Sequence, residues 1–204
     1  MPGAHLPLQI FEPRYVALLR DLVESQGEQA PVFGVVAIRK GFEVGEHGVS
    51  ALHTVGCAAH LLQAADLGEQ RFVVVAQGTD RFELGPLHES ASTPYTVAEV
   101  TWLEEVEGDR VEVELLAARL RTQLADHHAR IGADPTPAPE DNRELSYWLP
   151  QALSLELSDH QQLLATVDTE SRLRLGAKLL RREHALAVSL GTVGRPPDQG
   201  MSLN

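Results

Sequence analysis

The sequence is poor in cysteine, in aromatic residues and in basic charge. Its single cysteine, Cys57, has no second cysteine in the chain with which to form a disulfide. Aromatic residues make up only 5% of the chain, so the core must be built mainly from Leu, Val, Ala and Ile. Seventeen basic residues stand against 29 acidic ones, and the resulting net charge of −12 disfavours binding to nucleic acid phosphates.

Long apolar runs are also missing. No run approaches the roughly 20 residues that a membrane-spanning helix requires, and the N-terminus lacks the basic and apolar segments of a signal peptide. The residues around Cys57 are small and apolar, which predicts a buried thiol rather than a reactive one. We therefore expect a cytoplasmic protein with no membrane partner.

The common catalytic and metal-binding motifs are absent from the sequence. It contains no G-x-x-x-x-G-K-[ST] phosphate loop, no G-x-S-x-G, no H-E-x-x-H and no paired C-x-x-C. Nine histidines remain, but the neighbours His127 and His128 would point about 100° apart on a helix. We expect scattered surface histidines, no metal site, no cofactor and no catalytic residue.

The first half of the chain has mainly the pattern of strands. A helix beginning at Pro13 is predicted as the first regular element, with an apolar face that should end before Gly27. The β-branched run from Val32 to Ile38 predicts a strand buried on both faces. Further strands are expected up to Leu103, two of them separated by a turn at residues 78–80.

The hydrophobic period changes from two to 3.6 at Asp109, which can cap a helix. A short helix ending at Pro150 and a long helix after Asp168 are predicted to follow. Strands with one helix, followed by helices only, indicate the α+β class. We expect a β-rich subdomain over residues 1–106, a helical subdomain over 107–191 and a disordered tail over 192–204.

Two groups of residues are candidates for binding. One is a polar cluster near the start of the chain, formed by Glu12, Arg14 and Tyr15 with His5 close by. The second consists of scarce aromatic residues that could contact apolar segments of other proteins, namely Phe11, Phe33, Phe42 and Tyr95. Each has a structural alternative: Arg14 can pair with a carboxylate, and the aromatic residues can belong to the core.

The segment from Leu6 to Tyr15 resembles the L-P-L-x-I-F-E-P-R-Y signature of the N-terminal substrate-binding domain of Lon proteases, which also occurs in stand-alone proteins of this length. Four further segments resemble the same family in the same order: Phe33–Val36, Val55–Ala58, Gly78–Phe82 and Tyr95–Val100. In the helical half, Leu145–Tyr147 and the run from Ser158 to Leu173 follow the family as well.

The resemblance implies a PUA-like twisted β pseudobarrel with one helix, followed by a C-terminal α-helical bundle. It implies no catalysis, because the ATPase and the Ser-Lys peptidase of Lon lie in later domains. We therefore expect a binding protein for unfolded or exposed polypeptide segments, a protease adaptor whose partner could be a Lon protease. A small-ligand or nucleotide-binding regulator on a PUA-like barrel is the alternative, and client identity and oligomeric state stay open.

One departure from the family concerns the start of the chain. Family members begin with a strand resembling P-L-F-P-L-x-x-V-x-x-P-G, and Met1-Pro2-Gly3 matches only the end of that segment. The first family strand is therefore expected to be missing, either because the native start lies upstream or because the chain is truncated. Such a gap would leave unpaired N–H and C=O groups at a sheet edge, where another strand can add.

Overall fold

The computed structural model describes residues 1–24, 31–41, 49–88, 92–134 and 137–189. The chain divides into two compact units, Met1–Glu105 and Val106–Asn204. The candidate residue Phe42 and the tail predicted over 192–204 lie outside the described residues. None of the described helices is long and apolar enough to cross a membrane.

In its described residues the first unit is a curled antiparallel sheet with one helix. Its elements in chain order are β1 (His5–Ile10), α1 (Pro13–Glu24), β2 (Val32–Val35), β3 (Ile38–Gly41), β4 (Val49–Leu52), β5 (Val55–Asp66), β6 (Phe72–His88) and β7 (Val97–Trp102). The main sheet has the order β1-β6-β5-β2, while β3 and β4 form a separate pair. The long strand β6 pairs with β1 along its first half and with β7 along its second half.

Long-range pairing corrects three of the strand predictions. A strand, β1, precedes the helix at Pro13, and its proline, Pro7, does not interrupt the pairing with β6. The run from Val32 to Ile38 is not one strand buried on both faces, because β2 is a largely exposed edge strand and Ile38 belongs to the next strand. The turn predicted at residues 78–80 is absent, since these residues lie within the continuous strand β6.

The described part of the second unit is helical. It contains α2 (Arg110–Ile131), α3 (Asn142–Ala152), α4 (Leu157–Ala165) and α5 (Thr169–Ser189). The predicted cap at Asp109 is confirmed, since its carboxylate accepts a hydrogen bond from the Glu112 N–H at 3.0 Å. Asp168, after which a long helix was predicted, accepts a hydrogen bond from the Ser171 N–H at 2.7 Å at the start of α5. Strands with one helix followed by helices only confirm the α+β class.

The helices of the second unit pack around an aliphatic core that also holds a buried guanidinium. In the described part of this unit, nine buried residues from α2, α3, α5 and the turn after α3 form the core: Val113, Ala117, Leu120, Leu124, Leu145, Leu149, Leu153, Leu173 and Leu180. The fully buried Arg172 donates hydrogen bonds to the Ser146 and Thr169 hydroxyls and to the Thr166 carbonyl, at 3.0–3.1 Å. Its guanidinium also lies 4.1 Å from the centre of the Tyr147 ring. These contacts fix the start of α5 against α3.

Two predictions in the helical half are wrong. Pro150 lies inside α3 instead of ending it, because a proline near the end of a helix removes only one backbone hydrogen bond. His127 and His128 are buried between helices and are not surface residues. The apolar stripe of α2 continues through them, so the helix packing includes both rings.

Candidate functional site

An apolar groove of about 540 Å³ lies in the first unit, bordered by β1, α1 and β2. We name it the α1–β2 groove. Its lining consists almost entirely of aliphatic and aromatic side chains, from Leu6, Leu8, Ile10, Phe11, Tyr15, Leu18, Leu19, Leu22, Phe33, Val35, Val36, Leu61 and Val74, together with Gln9, Glu12 and Gly34. Its volume falls in the range of ordinary ligand-binding sites.

The first wall of the groove comes from the alternation of β1. Leu6, Leu8 and Ile10 are half-buried and share one face of the strand, whereas the residues between them are exposed. Leu8 and Ile10 pack against a small buried cluster formed by Leu19, Leu61 and Val74. A strand with two-residue periodicity thus supplies three aliphatic side chains to one side of the groove.

The second wall is the helix α1, whose start is fixed by Glu12. The Glu12 carbonyl accepts hydrogen bonds from the Tyr15 and Val16 N–H groups, both at 3.0 Å, and Pro13 occupies the first helical position. The helical spacing of Tyr15, Leu18, Leu19 and Leu22 then places four side chains along the groove. The predicted apolar face of this helix is confirmed.

An ion pair and an exposed aromatic ring stand at the rim of the groove. The Arg14 guanidinium lies 2.9 Å from a Glu12 carboxylate oxygen and 4.7 Å from the centre of the Tyr15 ring. Phe11 is 64% exposed although it lines the groove. The rim therefore offers an apolar ring to solvent, while the charges of Glu12 and Arg14 largely neutralise each other.

The third wall is the edge strand β2. Phe33 is half-buried and Val35 is 38% exposed, and both line the groove. The exposure of Val35 shows that the groove is open to solvent on this side. Gly34 lies over the buried ring of Phe82, whose Cζ would be 3.1 Å from an added Cβ, so this position has little room for a side chain.

The structure places four of the seven sequence-predicted site residues in the lining of this groove: Phe11, Glu12, Tyr15 and Phe33. Arg14 is outside the lining but pairs with Glu12. These positions are compatible with the predicted binding role, which stays a prediction.

Tyr95 contacts the helix of the groove without lining it. Its hydroxyl donates a 2.6 Å hydrogen bond to the Asp21 carboxylate on α1. This bond raises the pKa of Tyr95 above its ordinary value. Tyr95 therefore contacts α1 from a position outside the groove. The remaining candidate, Phe42, is not among the described residues.

Sequence reasoning missed the aliphatic side chains that form most of the lining. The residues from β1 were overlooked, although the alternation of Leu6, Leu8 and Ile10 with polar or proline residues is the signal that could have found them. Val35 and Val36 carried no such signal. Their position at a sheet edge depends on pairing between distant segments.

Nucleophilic and metal-binding chemistry has little support in the described part of the chain. Cys57 is buried, and burial raises the pKa of its thiol. No group of three or more His, Cys, Asp or Glu side chains in the described ranges is arranged to hold a metal ion.

A histidine cluster lies in the second unit. The His127 ring centre is 5.8 Å from that of His184 and 6.1 Å from that of His128. Burial, followed by the proximity of His184 and His128, lowers the pKa of His127, and the nearby Glu183 opposes this effect only in part. His127 is therefore neutral near pH 7, as expected for a ring packed between helices.

Comparison with known proteins identifies relatives over most of the chain. Residues 1–182 match the family model described as the ATP-dependent protease La (LON) substrate-binding domain. A Lon protease from Anaeromyxobacter dehalogenans is 28% identical over 91% of this chain, and Lon protease 4 from Sorangium cellulosum is 30% identical over 91%. The chain spans only 22–23% of the length of these two relatives.

Solved structures show the same fold. The crystal structure of a Lon N-terminal domain protein from Xanthomonas campestris aligns with a TM-score of 0.62 and 25% identity, covering 88% of this chain and 90% of that one. The N-terminal domain of a Mycobacterium avium complex Lon protease aligns with a TM-score of 0.63 at 20% identity, over 89% of this chain and 91% of that one. These alignments confirm the predicted fold.

Proposed function

The chain belongs to the family of ATP-dependent protease La (LON) substrate-binding domains, and we propose that it is a non-catalytic protein that binds unfolded or exposed segments of other polypeptides. The observation that carries this proposal is the α1–β2 groove. A solvent-accessible groove of about 540 Å³ with an aliphatic lining is suited to side chains that folded proteins bury and unfolded proteins expose.

The chemistry of the groove supports binding rather than catalysis. Glu12 is the one charged residue among the described lining residues, and its carboxylate is held by Arg14. Among the described lining residues neither a histidine nor a second carboxylate stands beside it to form an acid–base pair. The apolar lining, by contrast, gains free energy from any apolar segment that it removes from water.

An adaptor role extends this proposal to a partner. The relatives are Lon proteases of which this chain spans about a fifth, so a protein that captures clients could deliver them to such a protease. The buried single thiol suits the reducing conditions of the cytoplasm, the compartment in which we propose that the protein acts. Client polypeptides and a Lon protease are the proposed partners, without nucleic acid or membrane.

A single titration tests the proposed function. One fluorescently labelled model protein is prepared in its native form and in a permanently unfolded form with reduced and alkylated cysteines. Fluorescence anisotropy should report saturable binding of the unfolded form and at least tenfold weaker binding of the native form. Equal affinity for both forms, or binding of neither, would rule the proposal out.

The volume of the groove also favours a second candidate, a regulator that binds a small apolar ligand, because 540 Å³ is typical of small-molecule sites. A nucleotide is less suitable, since no described residue of the lining is a cation that could hold its phosphates. Native mass spectrometry of the protein purified from its source distinguishes the two candidates. A bound small molecule that blocks the unfolded protein would favour the regulator.

A further inference from the structure

The outer edge of β2 has the geometry of a template for another strand. Among the described residues β2 pairs only with β5, and it ends the order of the main sheet. The Leu61 N–H donates to the Pro31 carbonyl at 2.9 Å, so Pro31 and Leu61 form a hydrogen-bonded pair of the antiparallel ladder, and every second residue after Pro31 does the same. Residues 33 and 35 therefore direct their backbone groups to β5, whereas Val32 and Gly34 direct theirs to the open edge.

The strand on the opposite end of the sheet order is a poorer template. The Gly78 N–H donates to the Ala4 carbonyl at 2.9 Å, so the alternation directs the backbone groups of His5, Pro7 and Gln9 away from β6. Pro7 has no N–H group, and an added strand would lose a hydrogen bond in the middle of β1. The edge of β2 offers both donors and acceptors at Val32 and Gly34.

A strand added to β2 would place alternate side chains in the groove. Directly paired residues on neighbouring strands point to the same face of a sheet. Phe33 and Val35 line the α1–β2 groove, so residues paired with them would also point into it. The side chains of residues hydrogen-bonded to Val32 and Gly34 would point away from the groove. Backbone hydrogen bonds and side-chain contacts would therefore be made by alternate residues of the added strand.

The net charge of the first unit indicates which charged residues the bound segment should carry. Residues 1–105 contain 14 acidic and 6 basic residues, so the unit that carries the groove has a net charge of −8 and attracts cationic segments. We propose that the α1–β2 groove binds an extended client segment that adds as a strand to the edge of β2, with aliphatic residues at alternate positions and basic residues at its flanks. This inference rests on the proposed function and specifies the class of segment that is bound.

N-methylated peptides test the strand geometry. The probe is the labelled peptide acetyl-Lys-Val-Thr-Val-Thr-Val-Lys-amide, in which the valines occupy the groove and the threonines pair with Val32 and Gly34. N-methylation of both threonines removes the N–H groups that point to β2, and we expect at least about tenfold weaker binding. N-methylation of two valines removes N–H groups that point to solvent and should change the Kd by less than about threefold. Equal effects of the two modifications would overturn the proposal.

A pair of variants tests the protein side. Val32→Pro removes the N–H group at the open edge without affecting the ladder to β5, and proline suits an extended residue that follows Pro31. Val32→Ala trims the same side chain but keeps the N–H group. We expect about tenfold weaker peptide binding for Val32→Pro and less than about threefold for Val32→Ala, at equal thermal stability.

Four further outcomes test strand addition, the proposed function, the identity of the occupant and the charge of its flanks. If the unfolded model protein binds while the two N-methylated peptides behave alike, strand addition fails and the proposed function stands. If neither the unfolded protein nor any peptide binds, both fail. If light scattering shows a dimer that Val32→Pro dissociates, a second copy occupies the edge and the assignment to a client is wrong. Weaker binding of a glutamate-flanked peptide than of the lysine-flanked probe at low salt supports basic residues at the flanks of the bound segment.

Discussion

Phe11 should contribute to client binding without contributing to the stability of the fold. The ring lines the α1–β2 groove, yet 64% of the residue is exposed before any client is bound. An aromatic side chain presents about 200 Å², so about 130 Å² remains to be covered. At about 25 cal/mol per Å², complete coverage is worth about 3 kcal/mol. Because alanine keeps part of this area, Phe11→Ala should cost about 1–2 kcal/mol of binding free energy.

That loss corresponds to a Kd about five- to thirtyfold higher in the anisotropy titration with the unfolded model protein. The free energy of unfolding in urea should change by less than about 0.5 kcal/mol, since the ring is already in water. Leu67→Ala is the matched control, because Leu67 is 57% exposed in the same unit and does not line the groove. Equal affinity of the two variants for the unfolded protein would show that Phe11 does not contact clients.

Three further predictions concern the second unit. The lowered pKa of His127 means that the unfolded state binds more protons, so the free energy of unfolding should fall as the pH drops below about 6.5. His127→Gln should therefore reduce the difference between the free energies of unfolding measured in urea at pH 7.5 and pH 5.5. An unchanged difference would contradict this prediction. Arg172→Met should cost about 3–5 kcal/mol in urea unfolding, because it leaves buried acceptors without donors, and a loss below about 1 kcal/mol would refute the assigned role. Gly176→Ala should destabilise by about 1–3 kcal/mol, because the new methyl would collide with Leu149, whereas with Leu149→Ala present it should be neutral or stabilising. A destabilisation that is the same in both backgrounds would exclude the collision.

Local signals predicted the helical parts of this protein well. The cap at Asp109, the start of a long helix after Asp168 and the apolar face of α1 depend on residues within one or two turns of each other. Such short-range patterns are visible in one sequence. The burial of His127 was missed because a polar ring in an apolar stripe looks like a surface residue until the neighbouring helix is placed.

The strands and the groove depended on contacts between distant segments. Pro7 looks unfavourable for a strand until its partner β6 shows that it lies on the open edge, where no N–H group is required. Gly78 looks like part of a turn, although it continues the long strand that pairs with β1 and β5. The aromatic residues at the groove could be proposed from their scarcity, but the aliphatic lining required knowledge of which strands lie at the edges.

If the α1–β2 groove binds unfolded polypeptide, a charge placed in the groove should weaken that binding. Val35→Asp adds a carboxylate to the lining at a residue that is already 38% exposed. Val97→Asp adds the same charge on β7, at a residue that is 42% exposed and outside the groove. In anisotropy titrations with the unfolded model protein, we expect at least about tenfold weaker binding for Val35→Asp and nearly unchanged binding for Val97→Asp. Equal binding by the two variants at equal thermal stability would show that the groove does not bind the unfolded protein.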